Sequence, residues 1–215
     1  MKKFLLFSLL ITAFLSCKKQ ELKLPILHTN ALDSVYNNSA VWIFYVIKNK
    51  DTLAQLNQNN SIETTNWLFN IDGRLSLKQI YKPFKKLLKK RLKKSIHHIE
   101  GLKNYFSFAD TLDKRNKFLE FNLKDVQYKK PVLKDSNSTT SIFKFYKKYF
   151  QLNNNKFSYV KFDSVINSKK VYKDINYKYY YQDNISFNTY LKIKNNLYKY
   201  PFLRAIDNTL DFYFK

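Results

Sequence analysis

The 215-residue chain holds only two glycines, Gly73 and Gly101, one cysteine, Cys17, and four arginines, at positions 74, 91, 115 and 204. Each scarcity excludes something. Phosphate-cradling loops and the nucleophile elbow of common serine hydrolases need two or more glycines within a few residues, because the backbone there must turn sharply or approach its ligand closely. Gly73 and Gly101 are too far apart for either, so nucleotide-binding folds with such loops and hydrolases of that type are excluded. One cysteine leaves no internal disulfide, and stability must come from the core. Arginine supplies the planar, bidentate fork that reads base edges and phosphates, and it is nearly missing. Acids are also few, 16 against 39 Lys and Arg, for a formal charge of +23. Lys, Asn, Tyr, Phe and Ile share AT-rich codons, which accounts for a lysine-loaded, solvated surface. Nucleic acid is therefore not expected as a partner, and an anionic lipid headgroup or envelope polysaccharide is the alternative use of that charge.

What is present begins at the amino terminus. Lys2 and Lys3 precede an apolar run, Phe4 to Leu15, broken only by Ser8 and Thr12 and closed by Ser16 and Cys17. That is the three-part pattern of a secretory signal. A membrane span needs about 20 apolar residues for roughly 30 Å of hydrocarbon, and this run is shorter, with Lys18 and Lys19 directly behind it. Phe14-Leu15-Ser16-Cys17 resembles the lipobox of bacterial lipoproteins, in the looser form used by Bacteroidota-type Gram-negative bacteria. The resemblance implies that residues 1–16 are removed, that Cys17 is acylated with palmitate-type chains, and that the protein is tethered in the cell envelope. Lys18 is not the aspartate that some bacteria use to retain lipoproteins at the inner membrane, which leans to the outer one.

The remaining stretch of about 200 residues can bury near 70% of its unfolded surface. We read residues 17–38 as acylated cysteine and tether, 39–133 as an α+β domain, 134–141 as a linker, and 142–215 as a smaller aromatic-rich helical or mixed segment. No internal repeat stands out. Ala40 to Ile47 is continuous, β-branched and aromatic, as in a strand covered on both faces. Asn49-Lys50-Asp51 predicts a turn, with Thr52 to Leu56 returning. Trp67 to Ile71 is a further strand, closed at Asp72-Gly73. Ser76 with Gln79 matches a capping box and opens a helix to about His98, with Leu77, Ile80, Phe84 and Leu87 on one face and Pro83 kinking or restarting it. Asn104 to Ala109 and Lys117 to Leu123 form a hairpin. Later, Phe143, Tyr146, Tyr149 and Phe150 suit a short helix, Phe157 to Phe162 a strand, Tyr172 to Tyr181 a strand or hairpin, and Phe187, Tyr190, Leu191 and Leu203 helices. The fold expected is α+β, an antiparallel sheet with one long amphipathic basic helix on a face.

Four groups of residues invite a functional reading. Lys82, Lys85, Lys86, Lys89, Lys90, Lys93 and Lys94 give that helix a basic face with no acid between Asp72 and Glu100, a surface that can contact an anionic membrane. His97, His98 and Glu100, with His28 elsewhere, do not have the three- or four-residue spacing of helical metal ligands; neither metal nor cofactor is expected. Asp72, Asp110 and Asp113 stand at strand ends, where a carboxylate pair could serve glycoside hydrolysis or simply make turns. The tyrosines and lysines from Phe143 to Tyr200 imitate stacking platforms, for which a sugar suits an exported protein better than a nucleic-acid strand. The expected function is a lipid-anchored envelope protein acting by binding or assembly, not catalysis, with an envelope protein or glycan as partner. The alternatives are a lipid carrier and a glycan-acting hydrolase.

Overall fold

The apolar run from Ala40 forms strand β1 (Asn38–Lys48), whose odd-numbered side chains Val41 and Ile43 are fully buried. The computed structural model describes residues 21–57, 60–92, 101–122, 126–128, 140–168, 176–200, 203 and 211–214. Asn49 and Lys50 both take positive φ, 51° and 67°, the pair that a two-residue type I′ turn demands, and β2 (Asp51–Asn57) returns antiparallel. β3 (Asn66–Ile71) then pairs parallel to β1 on its other side. Helix α1 (Leu77–Leu92) crosses over to β4 (Asn104–Asp110), parallel to β3, and β5 (Arg115–Phe121) closes the sheet antiparallel. The order is β2-β1-β3-β4-β5. Leu77, Ile80, Phe84 and Leu87 of α1 are buried against it, with the Phe84 ring stacked 5.2 Å from Phe69.

The rest of the chain builds a second sheet in the order β6-β11-β10-β7-β8-β9. Its strands are β6 (Val126–Tyr128), β7 (Thr140–Phe145), β8 (Tyr149–Leu152), β9 (Asn155–Ser158), β10 (Asn176–Gln182) and β11 (Asp211–Phe214). Short helix α2 (Phe162–Asn167) follows β9, and α3 (Phe187–Tyr198) lies between β10 and β11.

The expected fold class is overturned. Neither sheet is antiparallel: β1, β3 and β4 run parallel, as do β7, β10, β11 and β6. The described residues are mainly β, with three α-helices of 16, 6 and 12 residues among them, not one long helix on a sheet. Turn signals mark where a strand ends but not which side of its neighbour the next one joins, and β3 pairs with the side of β1 opposite β2 instead of forming another hairpin. Two local expectations fail as well. Phe143 to Phe150 alternates in burial as the β7–β8 hairpin, not as a helix. The strand at Phe157 stops at Ser158, whose hydroxyl accepts from the Val160 amide and starts a 3₁₀ turn. Of the two outcomes expected at Pro83, the restart does not occur: α1 runs through this buried residue as one element.

The two halves repeat one plan that composition hid. In each, a hairpin (β1–β2, β7–β8) is followed, directly in the first half and after β9 and α2 in the second, by a strand parallel to its first member, a serine-capped helix, and another parallel strand. The β1/β3 register runs from Asn38 with Asn66 to Ile43 with Ile71. The β7/β10 register runs from Thr140 with Asn176 to Phe145 with Tyr181. The halves meet at the starts of their helices, where Ser76 and Ser186 form an antiparallel bridge. Leu77 N–H donates to Ile185 O (3.0 Å) and Phe187 N–H to Leu75 O (2.7 Å), while Lys78 N–H donates to Asp183 O (2.9 Å) and Asn188 N–H to Gly73 O (3.0 Å). A helix leaves its first amides without internal partners; here each half supplies the other's. Both halves contribute to one apolar core, with Phe106 of β4 5.1 Å from Phe187 of α3.

Candidate functional site

The start of α1 is built as its sequence predicts. Ser76 Oγ accepts from the Gln79 amide at 3.3 Å and Gln79 Oε1 accepts from the Ser76 amide at 2.8 Å. With the apolar stripe held in the core, Lys78, Lys82, Lys85, Lys86 and Lys89 are left exposed on the opposite face. Their spacing of three and four residues puts them on one strip along the helix, and none of the five has an ion-pair partner among the described residues. Lys90 is used otherwise: its ammonium donates to Ser61 O at 2.5 Å and Ser61 Oγ at 2.9 Å. Arg91 likewise turns inward, donating to the carbonyls of Glu63 and Thr65 and lying 4.1 Å over the Trp67 ring. Lys93, Lys94, His97, His98 and Glu100 lie outside the described residues, as does Cys17.

The carboxylates are committed to structure. Asp72 is fully buried at the end of β3. Arg74 donates to it from Nε (2.9 Å), Nη2 (2.7 Å) and its amide (3.0 Å), and the Lys23 amide adds another bond at 3.1 Å. Burial alone would push this carboxyl up, but those donors outweigh it and hold it below the usual carboxylate range. Asp110, at the end of β4, accepts from the amides of Leu112 (3.0 Å) and Asp113 (3.4 Å) and so makes the β4–β5 turn. Lys117 reaches both Asp110, at 3.4 Å, and Asp113. Against the cost of burial, donors from His28, the turn amides and Lys117 bring Asp110 down to about 2. Glycoside hydrolysis needs one carboxyl raised so that it carries a proton near neutrality, and Asp110 is shifted the opposite way. His28 stands between Asp110 Oδ1 (3.3 Å from Nδ1) and Thr111 Oγ1 (3.5 Å from Nε2). That is the order of a nucleophile relay, yet the Asp110 oxygen it would use is already shared with two turn amides.

A site that sequence reasoning did not assemble lies at the β7–β8 hairpin. An open groove of about 670 Å³ runs between that turn, β9 and the end of β10. Lys147 and Lys148 occupy the turn, closed by the Tyr146 amide donating to Tyr149 O at 2.9 Å. The rings of Tyr146 and Tyr149 stack at 4.5 Å, and Lys156 Nζ sits 3.9 Å over Tyr149. Gln182, Phe157 and Ser158 complete the lining, which contains no carboxylate. The groove lies outside the carboxyl ends of the parallel pair β7 and β10, where open sheets with parallel strands commonly bind ligands. The tyrosine and lysine density after Phe143 was the only trace of it in the sequence. Among the described residues no cluster of three or more His, Cys, Asp or Glu could hold a metal ion, and no helix is long and apolar enough to cross a membrane.

Compared with protein-family models, with curated proteins and with solved structures, the chain matches none.

Proposed function

We propose that the protein is a lipid-anchored component of a bacterial cell envelope that works by binding, with no reaction of its own. Cys17 is its attachment point, and the lysine strip of α1 its contact with the anionic surface beside the anchor. The observation that carries this reading is the asymmetry of charge use: Asp72 and Asp110 are engaged in internal bonds, while five lysines on one helix face are exposed and have no acid partner among the described residues.

The path of the chain after Cys17 supports it. The Gly73 amide donates to Lys23 O at 2.8 Å and the Ala109 amide to Pro25 O at 2.8 Å, so the domain takes hold of the chain by Lys23. Six residues beyond Cys17 span at most about 21 Å. An acylated Cys17 therefore keeps the domain close to its membrane, with the start of α1 next to the point where the chain is gripped. Each lysine near an anionic surface contributes about 1 kcal/mol. The lipid provides attachment and the strip sets orientation. The openness of the groove at β7–β8 supports surface binding over enclosure of an apolar ligand.

Two measurements test the proposal. Mass spectrometry of the protein from its native membrane should find Cys17 as the acylated first residue, and a bare sulfur would remove the anchor. A lipid-free Cys17→Ser chain should bind vesicles containing anionic lipid, and K82Q/K85Q/K86Q/K89Q should release it; unchanged binding would discard the strip.

A further inference from the structure

The internal repeat allows one half to be read against the other at the ends of their parallel strands. In the first half, Asp72 follows the last paired residue of β3, its carboxylate is held by Arg74, and the Arg74 guanidinium lies 4.4 Å over the Tyr45 ring. The registers place Gln182 of β10 at the position of Asp72, Asn184 at that of Arg74, and Lys147 at that of Tyr45. The first half thus carries its own anion and its own cation and is closed. β1 also runs on past Ile43 to Lys48, whereas β7 stops at Phe145 and turns at once. In the second half glutamine replaces the carboxylate at that position, the neighbouring Asp183 is buried and outside the groove lining, the covering strand is shorter, and lysine has been added. The groove is what results.

We infer that this groove is a binding site for an acidic saccharide, a sugar chain bearing carboxylate or phosphate groups; the inference rests on the reading of the protein as a binding component. Lys147, Lys148 and Lys156 supply three positive charges with no acid in the lining to neutralise them. Lys156 is positioned by the Tyr149 ring beneath it. The volume falls within the roughly 300–1,000 Å³ of small-ligand sites, and the open side lets a polymer continue past it. A single nucleic-acid strand fits less well. Base stacking needs a free ring face, but the Tyr149 ring is already occupied by Tyr146 and Lys156, and lysine is a point charge without the planar fork that pairs with phosphate or base edges. The Gln182 amide and Ser158 hydroxyl instead suit sugar hydroxyls.

The test is calorimetric titration of the detergent-solubilised, acylated protein with a galacturonate trisaccharide, with maltotriose and a thymidine oligonucleotide as comparison probes. A K147Q/K148Q/K156Q variant should bind the galacturonate about tenfold more weakly or worse, which is the scale of roughly one decade per 1.4 kcal/mol. A K48Q/K192Q/K199Q variant of equal charge, at exposed lysines outside both the groove and the α1 strip, should change it less than about twofold, since general attraction by a basic protein would treat the two triplets alike. Gln182→Asp, which places in the groove the carboxylate the first half has, should weaken binding as well. All three sites are at the surface or half-exposed, and unchanged circular dichroism will show that the variants fold. Equal loss in both charge-matched variants, no galacturonate binding, equal binding of maltotriose, or tighter binding of the oligonucleotide would each overturn the assignment. None of these outcomes bears on Cys17 acylation or on vesicle binding by α1, so failure here is separable from failure of the envelope reading.

Discussion

The amide of Phe187 donates to the carbonyl of Leu75 at 2.7 Å, and the amide of Leu77 donates to Ile185 at 3.0 Å, so the first turn of each major helix is completed by the other half of the molecule. Two sheets that would be separable as packed layers are joined by backbone bonds whose loss would leave helix-end amides unsatisfied.

That exchange predicts a single unfolding event. Ser76→Ala and Ser186→Ala should each cost about 1 kcal/mol as lost caps, and each should shift the whole transition, not that of its own half. Urea titration followed by circular dichroism and by tryptophan fluorescence should give coincident curves. Two resolved transitions would show that the halves fold apart.

Asp72→Asn should be among the most damaging polar substitutions. It leaves Arg74 without its partner and removes the charge that the amides of Lys23 and Arg74 face. Arg74 is 38% exposed and can hydrate once unpaired, so the loss comes from the charged hydrogen bonds at the buried carboxylate, about 2–3 kcal/mol. The same change should loosen the grip on residues 23–25, seen as faster proteolysis near Lys23 at denaturant concentrations where the core is intact.

Acid should destabilise the protein through Asp72 and Asp110. Both have folded pKa values below the ordinary carboxylate value, Asp110 down to about 2. A depressed carboxyl adds stability that is fully present above its unfolded pKa, near 3.9, and is lost as pH falls through the folded value. The melting temperature should therefore hold steady down to about pH 5 and fall between about pH 4 and 2. In Asp110→Asn that acid limb should flatten; an unaltered limb would mean that the His28 and Lys117 contacts do not stabilise the charge.

Arg91 reports on the packing of α1. Arg91→Gln removes the guanidinium from over Trp67 and from the carbonyls of Glu63 and Thr65, and should cost about 1–3 kcal/mol. Trp67 is fully buried, so its emission should move to longer wavelength as water enters. Phe84→Ala, which empties the stack on Phe69, should cost about 3–5 kcal/mol.

Lengthening the short path to the anchor should weaken the surface contact. An insertion of about ten Gly and Ser residues after Lys19 adds on the order of 15–20 Å of root-mean-square reach. In acylated protein on anionic vesicles, the lysines of α1 should then label faster with an amine-reactive probe. An unchanged rate would mean that α1 faces away from the membrane even on the short path.

Much of the local structure was legible because its causes are local. The Ser76–Gln79 box, the apolar stripe of α1, the turn at Asn49-Lys50 and the hairpin across Asp110 each depend on residues within a few positions of one another. The proposed acylation of Cys17 rests on the contiguous stretch Phe14-Leu15-Ser16-Cys17 alone, outside the described residues. The strands of Ala40–Ile47 and Trp67–Ile71 could be found from their side chains, but their parallel pairing could not, since alternation along a strand carries no record of its neighbour's direction. The basic face was visible, whereas its division into exposed Lys82, Lys85, Lys86 and Lys89 and structurally engaged Lys90 and Arg91 depended on where residues 61–65 pass. The repeat was hidden because Trp67, Phe69 and Ile71 are matched by Tyr177, Tyr179 and Tyr181, alike in burial and not in identity. The meeting of Ser76 with Ser186 and the opening of the groove beside Gln182 were decided by tertiary structure alone. They rest on register between segments far apart in the chain, Ser76 with Ser186 for the bridge and Phe145 with Tyr181 for the groove, and register is fixed by which faces bury together rather than by any short run of the chain.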